Sequence, residues 1–176
     1  MEKYVPKIYA PSIDKVPYDL LKRKGITHLL FDLDNTLVPP HSKKVSTKVK
    51  ELFKGLKEKG FTVIIFSNSP HKRLRPFGTD LEVDFNAFSM KPFQRSFRKI
   101  LKKYNIEKNA VAIIGDQILT DILGGNRCGI TTILITPLST NDMILTKWNR
   151  FRENRIIQKL EKRNLFMKEK YYDEKM

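Results

Sequence analysis

The stretch Leu29–Val38, LLFDLDNTLV, constrains this chain more than any other. An apolar run ends at two aspartates one residue apart, followed by an amide and a hydroxyl. On an extended segment residues i and i+2 project to the same side. Asp32 and Asp34 therefore form one concentrated negative site at the end of a buried strand. Carboxylates left unpaired there repel and cost stability, so the site calls for a divalent cation or a charged partner.

The rest of the composition suits a soluble globular chain. Of 176 residues, 40% are apolar and 30% charged, which predicts one domain over 1–176 with a sizeable core. No apolar stretch approaches the roughly 20 residues of a membrane-spanning helix. The opening MEKYVPKIYAPSIDK is polar and proline-broken, unlike a leader. The single cysteine, Cys128, leaves no internal disulfide framework and suits a reducing cytoplasm. Its setting, NRCGI, supplies no base, so it is expected to be a packed residue. A net charge of +15 calls for an anionic partner: a phosphate ester, a nucleic acid or an acidic lipid surface.

Taken in order, residues 1–24 hold Pro6, Pro11 and Pro17 and read as an extended arm with a helical turn near Tyr18–Lys22. Ile26–Phe31, Phe61–Phe66, Ala110–Ile114 and Thr131–Ile135 read as apolar strands, with a weak strand near Ala87–Phe88. Apolar residues at 45, 49, 52, 53 and 56 predict a helix over Val45–Lys59, stopped by Gly60. Residues 93, 97, 100, 101 and 104 predict another after Pro92. A helical turn is expected around Lys72–Phe77, and a short helix over Gln117–Leu123 closed by Gly124–Gly125. A long basic helix is expected from Leu145 to about Lys168, within a C-terminal helix and tail at 143–176. Strands alternating with helices, the strands almost wholly apolar, describe a parallel sheet covered on both faces.

Ligand sites in such folds lie beyond the carboxyl ends of the strands. The polar residues found there are Asp32, Asp34 and Asn35, then Ser67 and Asn68, then Asp116, with Lys91 after the weak strand. They divide into a metal half and a phosphate half. Asp32 and Asp116, with a backbone carbonyl near Asp34, supply the oxygen ligands that Mg²⁺ prefers. Ser67 and Lys91, with nearby amide groups, suit phosphate oxygens, and Asn35 and Asn68 are counted with the substrate-binding residues. A carboxylate next to bound phosphate can attack it, giving an aspartyl-phosphate, once a cation offsets the repulsion. Asp34 would then serve as acid and base.

These residues, as FDLDNTL, SN, KP and GDQILTD, resemble the four motifs of the haloacid dehalogenase (HAD) superfamily of phosphatases. The resemblance implies a three-layer Rossmann-like fold and Mg²⁺. It also implies a nucleophile at Asp32, an acid/base at Asp34, phosphate binding at Ser67 and Lys91, and metal binding at Asp116. Asp121 matches the second acid of the fourth motif and would orient the metal shell or Lys91. PKIYAPSI, GITHLLFDLDNTLVP, GDQILTDILGGNRCGITTILITPL and WNRFREN are similar to the YqeG-type branch (subfamily IIIA). That branch includes the mitochondrial phosphatidylglycerophosphate phosphatases. The loop HSKKVSTK departs from the tryptophan- and acid-containing segment of that branch.

A calcium loop starting at Asp32 would need glycine at 37 and an acid at 43, which are Leu37 and Lys43. Gly124–Gly125–Asn126 lacks the pattern of a nucleotide loop. His28 is expected to be structural, and His41 and His71 are candidates for substrate contact. Only 32 residues separate Asp34 from Ser67, and 23 separate Ser67 from Lys91, too few for a large cap domain. An open site favours a large substrate. From Met143 to Lys170 there are nine basic residues against three acids, with an apolar face of Ile144, Leu145, Trp148, Phe151, Ile156, Ile157 and Leu160. Such a helix either packs on the sheet or lies on an anionic membrane. The favoured substrate is thus an anionic lipid phosphate such as phosphatidylglycerophosphate, met in the cytoplasm at the inner face of the membrane. The alternatives are a phosphatase acting on RNA or at the ribosome, and a basic binding module with a vestigial site.

Overall fold

The computed structural model describes residues 1–139 and 144–173, the side chains of 144–149 excepted. Six strands form one sheet: β1 (Ile8–Ala10), β2 (His28–Phe31), β3 (Thr62–Phe66), β4 (Asp84–Asn86), β5 (Val111–Gly115) and β6 (Thr131–Ile135). All pair in parallel, in the order β1-β6-β5-β2-β3-β4. The helices are α1 (Tyr18–Arg23), α2 (Thr47–Glu58), α3 (His71–Leu81), α4 (Gln94–Tyr104), α5 (Leu123–Cys128) and α6 (Ile144–Glu161). Strands β3 and β4 build outward from one side of β2, and β5 and β6 from the other. The order reverses between β2 and β5, and the crevice beyond their carboxyl ends is where such folds bind ligands.

The strand alternation separates the two faces. Leu29, Phe31, Val63, Ile65, Ala112 and Ile114 meet Leu21 of α1, Phe53 and Leu56 of α2, and Leu74 and Phe77 of α3. Leu30, Ile64, Phe66, Val111 and Ile113 meet Phe97 and Ile100 of α4. Ring pairs lock both layers, Phe31–Phe53 at 5.0 Å and Phe66–Phe97 at 4.9 Å between centroids. This is the three-layer α/β architecture expected, with one helix between successive strands from β2 to β5 and no cap element among the described residues. Nor is any described helix long and apolar enough to cross a membrane.

The boundaries of α2 have local causes. Ser46 accepts a capping bond from the Val49 N–H at 3.3 Å, and Gly60 at φ +80 ends the turn beyond Lys59. Helix α3 runs 11 residues where only a turn was expected, because Leu74, Phe77 and Leu81 give it a buried stripe that outweighs Pro76. The weak strand lies at Asp84–Asn86 rather than Ala87–Phe88. It pairs with Ile64–Phe66 at the sheet edge, and Phe88 at φ +49 has left strand geometry.

The N-terminal arm is likewise more ordered than its prolines suggest. Ile8–Ala10 adds to β6 as an edge strand, and Tyr9 also bridges Tyr172 antiparallel. At the other end, α6 stops at Glu161 instead of near Lys168. Asn164 turns the chain at φ +53, so that Phe166 packs on Tyr9 with centroids 5.0 Å apart.

The pair Gly124–Gly125 was expected to stop a helix and instead lies inside one. A single turn of π-helix, Ile118–Ile122, runs straight into α5. A Cβ on Gly124 would fall 2.5 Å from Phe97 Cε2, and one on Gly125 2.5 Å from Thr132 Cγ2 and 2.8 Å from Ile113 Cγ2. The glycines are there for close approach of α5 to the sheet and α4. Gly125→Ala is expected to lower unfolding stability by about 1–3 kcal/mol, as over-packing against a rigid sheet does. An unchanged urea midpoint would show that α5 is not pressed against β5 and β6.

Candidate active site

Each acid sits just past a strand or on the turn after it. The Asp32 N–H continues the β2–β5 ladder by donating to Ile114 O at 3.0 Å. Beyond it, Leu33–Val38 closes a tight turn through Asn35 N–H to Val38 O at 2.8 Å and Val38 N–H to Leu33 O at 3.1 Å. Asn35 is buried there at φ +65, a conformation asparagine tolerates well. Ser67 follows β3, Asp116 follows β5, and Asp121 lies on the π-helical turn.

Asp32, Asp116 and Asp121 are buried and each offers a carboxylate oxygen within 4.8 Å of the others. Lys91 reaches into the group from the loop after β4. Its Nζ donates to Asp32 Oδ1 at 2.7 Å and to Asp121 Oδ1 at 2.6 Å. Gly115 makes room for this, since a Cβ on it would lie 2.3 Å from Asp121 Cγ. The other Asp121 oxygen accepts from Gln117 N–H and Thr120 Oγ1, both at 3.2 Å. Thr36 Oγ1 donates to Asp116 Oδ1 at 3.2 Å.

Asn68 is tied to the lysine backbone: Lys91 N–H donates to its Oδ1 at 2.7 Å, and its Nδ2 donates to Lys91 O at 3.1 Å. Ser67 is buried, and its Oγ accepts from the Ser69 N–H at 3.3 Å. The Asp34 carboxylate stands outside the group of three. Ser69 Oγ donates to Asp34 Oδ2 at 2.8 Å, and Arg73 Nη2 to Asp34 Oδ1 at 2.7 Å.

Two arginines and a glutamate in this network were not assigned roles from the sequence. Arg73, on the first turn of α3, also donates to Ser42 O. Arg150, on α6, pairs with Asp116 Oδ2, donates to Asp116 O at 2.9 Å and pairs with Glu153 at 3.2 Å. Buried Glu153 in turn accepts from the Leu119 N–H at 2.8 Å. The signals were present in KRLRP and WNRFREN, but a surface arginine and a site arginine look alike in a chain this basic. Histidine gives the opposite case. His28 bonds Thr27 Oγ1 at 2.8 Å beside the Tyr104 ring, whereas His41 and His71 are exposed, His71 edge-on to Phe85. Cys128 is half-buried, and burial pushes its thiol up.

The electrostatics expose a deficit of positive charge. Burial pushes the Asp32 carboxyl up to about 6, with Lys91 pulling it back and Asp121 adding repulsion. Burial pushes Asp116 up to about 8, against the pull of Arg150 and with repulsion from Asp32 and Asp121. Burial alone would lower the Lys91 ammonium, but Asp121 and Asp32 hold it above its ordinary value. Five carboxylates (Asp32, Asp34, Asp116, Asp121, Glu153) face three cations (Arg73, Lys91, Arg150) across these contacts. A divalent cation would neutralise that surplus, and a donor set made only of oxygen fits a hard ion.

A family model described as mitochondrial PGP phosphatase matches residues 1–139. The chain belongs to this family. Within it, the chain is 33% identical over 160 residues to "Probable phosphatase YqeG" of Bacillus subtilis, covering 91% of this chain and 93% of that protein. It is 26% identical over 144 residues to a phosphatidylglycerophosphate phosphatase 1 of Arabidopsis thaliana, of whose length it spans 41%. A counterpart from Chlamydomonas reinhardtii is 28% identical, and the chain spans 54% of it.

Solved structures with the same HAD-like fold include an uncharacterized protein from Listeria monocytogenes. It has a TM-score of 0.54 and 21% identity, covering 78% of this chain and 99% of that one. The cobalt-bound octulosonate 8-phosphate phosphatase of Haemophilus influenzae has a TM-score of 0.53 and 16% identity, covering 82% and 95%. These two show the fold alone; the family model and the phosphatase relatives make this family member a phosphatase on a HAD-like fold.

The C-terminal helix of this family member packs inward over its second half. Leu160 is buried and Ile156 and Ile157 half-buried against Ile118, Ile122 and Leu134, while Phe151, placed on the apolar face from sequence, is exposed. The expected contributions of Ile144, Leu145 and Trp148 lie outside the described side chains.

Removing Lys91 should be costly because Asp32 and Asp121 would stay buried without their partner. Lys91→Ala is expected to destabilise the metal-free protein by about 3–5 kcal/mol at neutral pH in urea unfolding. A loss under 1 kcal/mol (~) would mean the two acids are not held as charges by this lysine.

Proposed function

We propose that this chain is an Mg²⁺-dependent phosphomonoester hydrolase that forms an aspartyl-phosphate on Asp32 and acts on an anionic lipid phosphate, phosphatidylglycerophosphate or a close analogue. The observation that carries the chemistry is the Lys91 ammonium joined to both Asp32 and Asp121, inside a set of three buried carboxylates within 4.8 Å. Asp32, Asp116 and the backbone near Asp34 would hold the ion, with Asp121 close by. The ion would supply charge neutralisation between an anionic nucleophile and an anionic phosphate.

The protein's own groups account for the remaining steps. Asp32 attacks phosphorus with a carboxylate oxygen, and the P–O bond to the leaving alcohol breaks. Asp34 gives its proton to that alcohol, then takes one from the water that hydrolyses the acyl phosphate. Arg73 and Ser69 orient Asp34. Lys91 moves some of its charge from Asp32 onto the bound phosphate, and Ser67 binds a phosphate oxygen. Asn68, counted with the substrate-binding residues, also positions Lys91 through its backbone. The lipid substrate is supported by the family match, by the names of the plant and algal relatives, and by a site with no cap element among the described residues.

With Mg²⁺ the purified protein is expected to release phosphate from phosphatidylglycerophosphate in mixed micelles. Asp32→Asn should lower turnover by roughly 10⁴-fold or more, and Asp34→Asn by roughly 10²–10⁴-fold. No release from the lipid alongside turnover of an aryl phosphate would sink the substrate assignment. Equal aryl phosphatase activity in Asp32→Asn would sink the mechanism. Millimolar Mg²⁺ is also expected to raise the melting temperature of the wild type and to do so less in Asp116→Asn. A Mg²⁺-insensitive melting curve would remove the metal from this site.

A further inference from the structure

We propose that the mouth of the acid pocket is itself a membrane-docking surface, with Phe88, Met90 and Phe93 entering the acyl region of an anionic bilayer. The proposal rests on the lipid-phosphate reading above and gives it a surface. Phe88, Met90 and Phe93 are 63%, 62% and 63% exposed, the three most exposed large apolar side chains among the described residues. All three lie within three residues of Lys91, which is 5% exposed. Three such side chains within six residues of the chain exceed the single scattered apolar residues of an ordinary surface.

The loop is built to turn these side chains outward. Phe88 and Met90 hold the left-handed backbone region at φ +49 and +47, where bulky residues are rarely found. Ser89 and Lys91, alternating with them, are buried. The conformation that drives Lys91 into the acid pocket thus drives Phe88 and Met90 out. The loop is anchored, with Phe88 N–H on Ser69 O, Ser89 N–H on Ser67 O and Phe93 N–H on Met90 O, each at 3.0 Å. Ser69 bonds Asp34 in turn. Two other exposed apolar residues adjoin the site: Leu138, whose N–H donates to Asn35 O, and Phe151, next to Arg150.

Charge at the same rim selects an anionic surface. The N-termini of α2, α3 and α4 all follow strand carboxyl ends, and none carries an acid in its first turn. Acids favour that position, so their absence leaves three positive helix ends at the rim. Exposed Lys43, Lys44, Lys48, Lys72, Arg95 and Arg98 reinforce them. Apolar side chains at the centre with cations around them is the pattern of peripheral binding to acidic lipid.

The test is sedimentation of the full chain with vesicles of phosphatidylcholine alone and of phosphatidylcholine with phosphatidylglycerol at 3:1. The wild type is expected to partition only to the phosphatidylglycerol vesicles. Phe88→Ser/Phe93→Ser should lose roughly tenfold in partition or more, with an unchanged melting temperature and unchanged turnover of a soluble aryl phosphate. The proposal is overturned if the wild type ignores both vesicles or if the double variant binds them as well as the wild type. Salt-sensitive binding to a short RNA, weakened by the double variant while vesicle binding is not, would also overturn it and assign the surface to RNA. Hydrolysis in micelles without vesicle partition defeats the docking proposal alone. Partition that depends on Phe88 and Phe93, without lipid hydrolysis, leaves the docking and defeats the substrate.

Discussion

One enclosed ammonium group ties the structure together. Lys91 lies between Asp32 at the end of the central strand and Asp121 on the turn after β5, and the loop that carries it closes the far side of the sheet. An isolated charge buried there would cost several kcal/mol, about as much for each aspartate, and only their mutual contacts at hydrogen-bond distance offset it. Three segments distant in sequence are therefore held in one register. Gly115, with no side chain, and Asn68, with both ends of its amide on Lys91, are the local concessions that allow the contact.

The charges around this contact are graded rather than balanced. Arg73 attends Asp34 at the edge, Lys91 sits at the centre and Arg150 attends Asp116 at the opposite side. The acids outnumber them, and burial raises both Asp32 and Asp116. The surplus is negative, so a divalent ion there would be attracted and would lessen the repulsion an anionic ligand meets.

The sheet was legible because its strands are apolar runs of the right length, LLF, VIIF and VAII, each followed within two residues by a polar one. The same rule places Asp32, Asp116 and Lys91 on one rim, where the structure has them. Elements whose signal depends on partners were harder to read. Ile8–Ala10 becomes a strand only because β6 offers it an edge, and DFN pairs at an edge despite two residues that disfavour strands. The Gly124–Gly125 pair carries the same letters whether it stops a helix or lets one press on a sheet. Only the positions of Thr132, Ile113 and Phe97 decide. Phe93 fitted a helical stripe by spacing, yet it precedes α4 and faces solvent.

Arg150 and Glu153 come from α6, beyond the last residue matched by the family model. The counter-ion of Asp116 is therefore supplied by a part of the chain outside the four motifs that carry the other site residues. A change at Arg150 or Glu153 would alter how strongly that aspartate is neutralised without touching any of the four motifs. The charge balance of the pocket is thus set in part by a helix far along the chain from the strands that carry its acids.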